Sequence, residues 1–349
     1  MPLTVTVVIP AYNEEETITE TIHSLRKQTS PPQRIIVVDD CSSDKTGEIA
    51  RSLGVEVIRP PKNQGTKAQA QNVALPFIDT DITVTIDADT TLAPNALELL
   101  VRPFEKNEKL AVASGYIVPR YRKTFWERGR LVEYLFGLEM YKIAQKDVGS
   151  PIVCSGCFSA FRTKILKQHG GFDPGTMAED MNYTWKALIS GDGASFVPEA
   201  VCYPVEPPTW DIYRKQVDRW SRSFFQNFKI FWRKFHRRPM LAVFIWTAIF
   251  EALIFPLSII MTAYVIYLAF NDAFQMKWLW SFVGSLGVDL FLVIIFTLIG
   301  GVRTGNTSIG LRSIPCYYVL RFINIGFWWR SLYLELIRKE KLSTWQKGH

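Results

Sequence analysis

Short β-branched runs alternate with helix-like segments from residue 4 to about 120: VTVVIP, 14–28, RIIVVDD, 44–53, VEVI, 66–75, DITVTID, 94–104 and LAVASGY. That alternation predicts an α/β fold, a mostly parallel, Rossmann-like sheet covered by helices. Asn13, three residues before Glu16, reads as the cap pair of the first helix, and Gly54 as the stop of the second.

Sheets of this kind bind ligands beyond the carboxyl ends of their strands. Polar clusters fall there: Tyr12-Asn13 after the first strand, Asp39-Asp40 after the second and Asp87-Ala88-Asp89 after the fourth. Any one of them alone reads as a turn former or helix cap. Three at one edge of one sheet predict a binding site.

Composition changes along the chain. Charged residues make up 21% of the 349, and the apolar excess gathers after Pro239. Stretches 241–270 and 278–301 each exceed the roughly 20 residues that cross a bilayer core, so two transmembrane helices are expected. Lys229, Arg233, Lys234, His236, Arg237 and Arg238 precede the first stretch. Arg303 and Arg312 follow the second, Arg338, Lys339, Lys341 and Lys347 close the chain, and 271–277 holds only Asp272 and Lys277. The positive-inside rule then predicts an integral membrane protein whose N-terminal region and tail are cytosolic, with 271–277 outside. The net charge of +7 therefore reads as membrane flanks facing anionic lipid, not as a nucleic-acid surface.

Residues 1–10 enter a strand directly and show no signal-type segment. Five cysteines, an odd number, argue against a disulfide framework. The CxxC of Cys154-Ser155-Gly156-Cys157 has no second ligand pair near it, and the four histidines are scattered, so no structural zinc is expected. Glu251 and Asp289 interrupt apolar stretches, and they read equally as interhelical contacts or as the lining of a polar path.

Aromatic and basic residues mix at helical spacing in 121–150, which is expected to lie on the membrane surface or to cover the site. The mixture recurs in 211–237, an expected interfacial amphipathic helix leading into the first span. A third apolar stretch, 314–337, carries Arg321 and Arg330, and the charge rule favours a segment that does not cross. The expected organisation is a catalytic domain at 1–210, an interfacial helix at 211–240, two spans at 241–301, and an interfacial or third membrane segment with a basic tail at 302–349.

The clusters suit a sugar nucleotide. Asp39-Asp40 can accept hydrogen bonds from a base or a ribose, and Tyr12 can stack on the base. Asp87-Ala88-Asp89 offers carboxylates to a Mg²⁺ or Mn²⁺ bridging a diphosphate, where the cation would help the leaving group depart. Lys67, after Asn63-Gln64-Gly65, can add positive charge there. Glu179-Asp180 follows a glycine-rich turn and opens a helix. It reads either as acid complementing a helix N-terminus or as a general base for an acceptor hydroxyl.

Seven segments in order, VTVVIPAYNEEETI, IIVVDDCSSDKT, NQGTKAQAQNVA, TIDADT, GCFSAFRTKIL, GGFDPGTMAEDMNYTWKA and QVDRW, resemble the family 2 inverting glycosyltransferases with a GT-A fold. The resemblance covers residues 4 to about 225. The QxxRW element, Gln216, Arg219 and Trp220, is similar to that of the polymerising membrane-bound branch, which includes cellulose, chitin, hyaluronan and poly-N-acetylglucosamine synthases.

The resemblance implies a role for each matching residue. Pro10, Tyr12, Asn13, Asp40, Lys67, Asp87 and Arg219 would bind the nucleotide donor, and Asp89 the metal. Asp180 would be the catalytic base. Cys154, Ser155, Gly156, Glu179, Gln216 and Trp220 would border the acceptor. Thr344-Trp345 is similar to a tryptophan-containing end of some synthases.

The implied reaction is metal-dependent, inverting transfer from UDP-GlcNAc or UDP-glucose to a growing glycan or lipid-linked acceptor, forming β-linkages. Single-sugar transfer to a polyprenyl phosphate is the alternative, and a catalytically silent membrane-anchored sensor a further one. Two or three spans are fewer than in single-chain synthases that secrete polymer, which leaves room for a homo-oligomer, short products or lipid-linked elongation.

Overall fold

The computed structural model describes residues 3–270 and 276–342. Most of the expected outer loop, 271–275, and Thr344-Trp345 lie outside the described residues. The first half alternates as expected: β1 Val5–Ala11, α1 Ile18–Arg26, β2 Arg34–Asp39, α2 Thr46–Ser52, β3 Glu56–Ile58, α3 Lys67–Ala74, β4 Ile82–Ile86, the short β5 Thr91–Leu92, α4 Ala96–Lys106 and β6 Leu110–Ile117. Then come α5 Phe125–Gly137, a π-helical turn Leu138–Lys142, α6 Ile143–Asp147, β7 Phe158–Arg162, α7 Thr163–Gln168, α8 Glu179–Ser190 and β8 Gly193–Tyr203.

The sheet order is β3-β2-β1-β4-β7-β6-β8-β5. β3, β2, β1 and β4 are mutually parallel, as are β6 and β8. β7 enters antiparallel between β4 and β6, and β5 closes the far edge antiparallel to β8. The alternation at 4–120 does not foretell this insertion, because β7 lies beyond α5 and α6. The consequence is functional: β7 and the glycine turn before it stand directly beside the end of β4.

Strand periodicity sorts the core. Val5, Val7, Ile9 and Ala11 of β1 join Ile18, Ile22 and Leu25 of α1 and Leu97 and Leu100 of α4 on one face. Val8, Ile36 and Val38 join α3 and α8 side chains, including Ala70, Tyr183 and Trp185, on the other. Burial on both faces is what a β-branched parallel strand requires.

The helix caps differ in part from expectation. Gly54, at φ 66, follows α2 and donates to the Arg51 carbonyl at 2.8 Å, as a helix stop should. Asn13 does not cap α1, which begins at Ile18 after Thr17. It takes φ 55, its N–H donates to Ser42 Oγ at 3.0 Å, and its Oδ1 accepts the Ser43 N–H at 2.8 Å. Asparagine tolerates that left-handed conformation, and here it ties the end of β1 to the loop after β2.

The C-terminal part is helical: α9 Trp210–Phe231, a 3₁₀ segment Trp232–Arg237, α10 Pro239–Phe270, α11 Met276–Thr304, α12 Thr307–Arg312, α13 Ile314–Leu332 and a π turn Tyr333–Ile337. Two spans were expected. Among the described residues one stretch, Leu286–Thr304, is long and apolar enough to cross a membrane, while Pro239–Ile254 at the start of α10 is apolar but shorter. Both helices turn large apolar side chains outward, including Trp246, Phe250 and Tyr264 on α10 and Phe291 and Val302 on α11.

Glu251 and Asp289 are paired. Arg321 of α13 donates to Glu251 Oε1 at 3.0 Å and to Asp289 Oδ1 at 2.8 Å, so one guanidinium links α10, α11 and α13. Tyr318 donates to Asp289 at 2.7 Å and Tyr141 to Glu251 at 3.2 Å. α13 packs against both α5 and α9.

Candidate active site

A cavity of about 990 Å³ opens at the carboxyl ends of β1, β2 and β4 and continues past α8 and α9 to α10. Its donor-side wall begins with Pro10, near the end of β1, and Tyr12, just after it. The two aspartates at the end of β2 divide their tasks. Asp39 is fully buried and paired with Arg59 at 2.5 Å, and it accepts the Ser42 N–H at 3.0 Å, so it fastens the loop. Asp40 lines the cavity, and its Oδ1 accepts the Gln64 N–H at 2.8 Å while its carbonyl accepts Asn63 Nδ2 at 2.8 Å. Burial pushes the Asp40 carboxyl up, against the Gln64 bond and with help from Asp39.

Lys67 stands at the start of α3, where Thr66 caps the helix by accepting the Gln69 N–H at 3.2 Å. Its ammonium lies 2.5 Å from Asp87 Oδ1 and 3.5 Å from Glu179 Oε1, and it donates to the Gly156 carbonyl at 3.1 Å. Burial alone would lower this ammonium, but Asp87, Glu179 and then Asp180 outweigh it and hold it charged, well above its ordinary value. Glu179 is pushed up, first by burial and then by Asp180, with Lys67 opposing. A lysine among three carboxylates leaves a charge balance that an incoming cation and diphosphate would rearrange.

Gly156 makes this cluster compact. Its N–H donates to Asp180 Oδ2 at 2.7 Å. A methyl group placed on Gly156 would come within 3.0 Å of Lys67 Nζ, 3.2 Å of Asp180 Oδ2 and 3.3 Å of Glu179 Oε1. The glycine therefore lets backbone and charges meet where any side chain would intrude. Asp180 is also fixed from α9: Gln226 Oε1 accepts the Met177 N–H at 3.2 Å, and Asn227 Nδ2 donates to the Ala178 carbonyl at 3.4 Å, just before α8. Gln226 in turn donates to the buried Glu335 at 3.1 Å, beside Arg222 at 3.0 Å.

Asp89 lines the cavity two residues after Asp87, and its own carbonyl accepts from Arg120 at 2.7 Å. Among the described residues no three His, Cys, Asp or Glu side chains form a metal cage. The donor set still fits Mg²⁺ or Mn²⁺, since such ions are commonly held by one or two carboxylates with phosphate oxygens and water completing the shell. Arg219 of α9 also lines the cavity, electrostatically coupled to Glu179, Asp180 and Asp87. Burial lowers its guanidinium and these carboxylates raise it.

The far wall comes from α5, the π turn, α6 and the segment after β8. Ser155 accepts from the buried Lys142 at 3.0 Å, and burial lowers that ammonium. Arg130 of α5 is 1% exposed and donates to Glu133 at 2.9 Å and to Gln216 Oε1 at 2.7 Å. Its guanidinium carbon stands 4.5 Å from the Trp220 ring centroid and 4.9 Å from that of Tyr213. Glu206 is 3% exposed, accepts from Tyr134 at 2.9 Å and lies 3.6 Å from Arg130 Nε. Burial pushes its carboxyl up to about 7, against Arg130 and Tyr134.

Of the residues expected at the site, Pro10, Tyr12, Asp40, Lys67, Asp87, Asp89, Ser155, Gly156, Glu179, Asp180, Gln216, Arg219 and Trp220 line this one cavity. Asn13 and Cys154 do not. Asn13 ties two loops together as described above, and Cys154 is fully buried, its N–H donating to Thr184 Oγ1 at 3.0 Å. Sequence reading missed Arg130, Glu133, Lys142 and Glu206. The segment 121–150, read as membrane surface or cover, is cover: Glu133, Tyr134, Tyr141 and Lys142 line the cavity.

Residues 6–170 match the family model described as glycosyl transferase family 2. The hyaluronan synthase of Streptococcus pyogenes is 32% identical over 294 residues, covering 78% of this chain and 68% of that protein. The chain belongs to glycosyl transferase family 2. The transferase is also 28% identical over 220 residues to the poly-beta-1,6-N-acetyl-D-glucosamine synthase of Staphylococcus epidermidis, covering 62% of this chain and 53% of that one.

Among solved structures, the Pyrobaculum calidifontis mannosyltransferase in complex with GDP-Man and Mn²⁺ superposes with a TM-score of 0.65 at 21% identity, covering 97% of this chain and 89% of that one. S. aureus TarS in complex with UDP gives 0.51 at 18% identity, covering 99% and 94%. These likenesses establish a GT-A-like fold. The chain is a glycosyltransferase related to the polysaccharide synthases.

Proposed function

We propose that this transferase elongates a glycan at the cytosolic face of a membrane, adding β-linked sugar by inversion from an α-linked nucleotide sugar, UDP-GlcNAc or UDP-glucose. The observation that carries the reading is the single cavity joining the strand-end aspartates, the Lys67 cluster and the α9 motif, and reaching Phe244, Thr247 and Ala248 of α10. Tyr12 and Asp40 take the base and ribose, with Pro10 shaping that wall. Lys67 and Arg219 face the diphosphate. Asp87 binds the nucleotide donor and Asp89 would hold Mg²⁺ or Mn²⁺, which when bound would stabilise the departing diphosphate as a Lewis acid.

Asp180 takes the proton from the acceptor hydroxyl as it attacks the anomeric carbon, and Glu179 beside it orients the acceptor. Inversion follows from attack opposite the leaving diphosphate. Gln216 and Trp220 hold the acceptor sugar, and Ser155 and Gly156 border it. Asn13 and Cys154 act from behind the wall, the first through the loop carrying Tyr12, the second through its neighbour Ser155. Residues 1–210 form the catalytic unit, 211–240 the interfacial helix, 241–301 two spans, and 302–349 a membrane-surface segment and basic tail. Outward apolar side chains on α10 and α11 support that placement.

The reading is tested by a donor panel of UDP-GlcNAc, UDP-glucose and GDP-mannose on purified protein in detergent, with and without Mn²⁺ or Mg²⁺. Nucleoside diphosphate release and product size are followed. Metal-dependent release from a UDP-sugar with a ladder of products is expected. Transfer of one sugar to a polyprenyl phosphate, and no ladder, would replace elongation with single-sugar transfer. Undiminished turnover in chelator would remove the role given to Asp89.

A further inference from the structure

The QxxRW motif does not hold its own geometry. Gln216 and Trp220 lie one helical turn apart on α9, and Trp220 is 37% exposed at the cavity. An indole on a surface helix with one face toward an open cavity has several rotamers open to it. One side chain contacts both Gln216 and Trp220, and it lies outside the motif. Arg130, on α5, donates from Nη2 to Gln216 Oε1 at 2.7 Å and stacks its guanidinium at 4.5 Å from the Trp220 centroid.

Its remaining surroundings fix Arg130 itself. Tyr213 covers it at 4.9 Å, Glu133 accepts from Nη1 at 2.9 Å, and Glu206 faces Nε at 3.6 Å. Tyr213 is fully buried, packed at 5.0 Å against the tilted Trp126 ring and bonded to Asn324 of α13 at 2.6 Å. The guanidinium is therefore a buried plug with Glu133 and Glu206 beside it, one face over the Trp220 ring, and its two Nη groups divided between Glu133 and Gln216. Lysine carries the same charge but has neither the plane nor the fork.

We propose that Arg130 is the positioning residue of the acceptor end, setting Gln216 and Trp220 in the one arrangement that receives the acceptor sugar. The assignment rests on the reading of Trp220 as the acceptor platform. It predicts that Arg130 acts on acceptor binding and leaves the donor end alone.

Arg130→Lys is the test, in two measurements on full-length protein in detergent. The first needs no substrate. The chain has 11 tryptophans, and in protein labelled with 5-fluorotryptophan the resonance lost in Trp220→Phe identifies Trp220. In Arg130→Lys that resonance should shift or broaden, with the tryptophans remote from α9 unmoved; an unmoved Trp220 resonance overturns the proposal. If Arg130→Lys does not fold, Gln216→Leu, which deletes the acceptor of its hydrogen bond, carries the same expectation and the same power to refute.

The second is kinetic, with UDP-GlcNAc and a β-linked N-acetylglucosamine tetrasaccharide, or UDP-glucose and cellotetraose if only that donor is turned over. Arg130→Lys should raise the acceptor KM about tenfold, the size of one charge-assisted hydrogen bond, with UDP affinity within about twofold. The double variant with Trp220→Ala should lose less than the sum of the two single losses, the remainder being the share carried by Gln216. Additive losses, or an equal loss of UDP affinity, overturn the proposal. A Trp220→Ala enzyme with unchanged acceptor KM refutes the platform itself, and is told apart because the fluorine resonance reports the clamp without it.

Discussion

The two ends of the cavity are built in different ways. At the donor end, apart from Arg219 within α9, the functional side chains sit at the end of a strand or the start of a helix: Asp40 after β2, Lys67 opening α3, Asp87 and Asp89 after β4. At the acceptor end Arg130, Glu206 and Gln216 converge from α5, the segment after β8 and α9, and their bonds span 86 and 72 residues of chain. The donor-end aspartates are thus placed by local chain geometry on a rigid sheet, with Lys67 alone reaching across 89 residues to Gly156, whereas the acceptor end is a property of tertiary docking throughout. Changes at the first should act on chemistry or on a compact charge cluster, and changes at the second on orientation.

The largest effect is expected where the ends meet. Asp180→Asn should lower kcat by about 10³-fold, within the range a general base contributes, while UDP affinity holds. The amide oxygen can still accept the Gly156 N–H, so the fold should survive. Wild-type turnover in that variant would move the base elsewhere and dissolve the boundary between the ends. Next comes Lys67→Met, which strands Asp87 and Glu179 without their cation. A loss of about 1 kcal/mol in urea unfolding, with weakened UDP binding, is expected, less than for a fully buried pair because the Asp87 side chain is 36% exposed to the cavity. Unchanged stability would mean that the cluster is not coupled as its distances imply.

This division also decides what could be read from the chain. The strands, the end of α2 at Gly54 and the cavity-lining Tyr12, Asp40, Asp87 and Asp89 follow from period and turn chemistry, which are local. The placement of β7 between β4 and β6 does not, because nothing local states which strand pairs with which. Asn13 misled for a related reason: asparagine suits both a cap and a left-handed turn, and the Ser42-Ser43 loop chooses the turn. Arg130 sits among aromatic and basic residues that read as a membrane surface or as a cover for the site. Its burial becomes visible only when α9 and α13 close over α5.

The acceptor end should respond to pH where the donor end does not dominate. The Glu206 carboxyl lies at about 7 in the fold, above its ordinary value of 4.5, so the folded state holds the proton more tightly than the unfolded chain. Its contribution to stability is full below about pH 4.5 and is lost as the pH rises through 7, amounting to about 3 kcal/mol. Glu206→Gln should remove that slope, so the stability difference between variant and wild type should shift by this amount in the variant's favour from pH 4.5 to 8. A difference that stays flat across that window would show that Arg130 keeps Glu206 ionised throughout.

The smallest effect belongs to Tyr134→Phe, and it sharpens the same point. The Tyr134 hydroxyl donates to Glu206 at 2.9 Å and so favours the charged carboxylate. Without it, Glu206 should hold its proton to a higher pH, and the bond lost should cost about 1 kcal/mol when Glu206 is ionised. The cost should therefore be larger at pH 8 than at pH 5, read as urea midpoints of variant and wild type at each pH. Equal costs at both would show that the hydroxyl serves packing and has no hold on the charge. The comparison between ends would then rest on Arg130 alone, because Glu206 would no longer connect the acceptor clamp to the proton balance of the cavity.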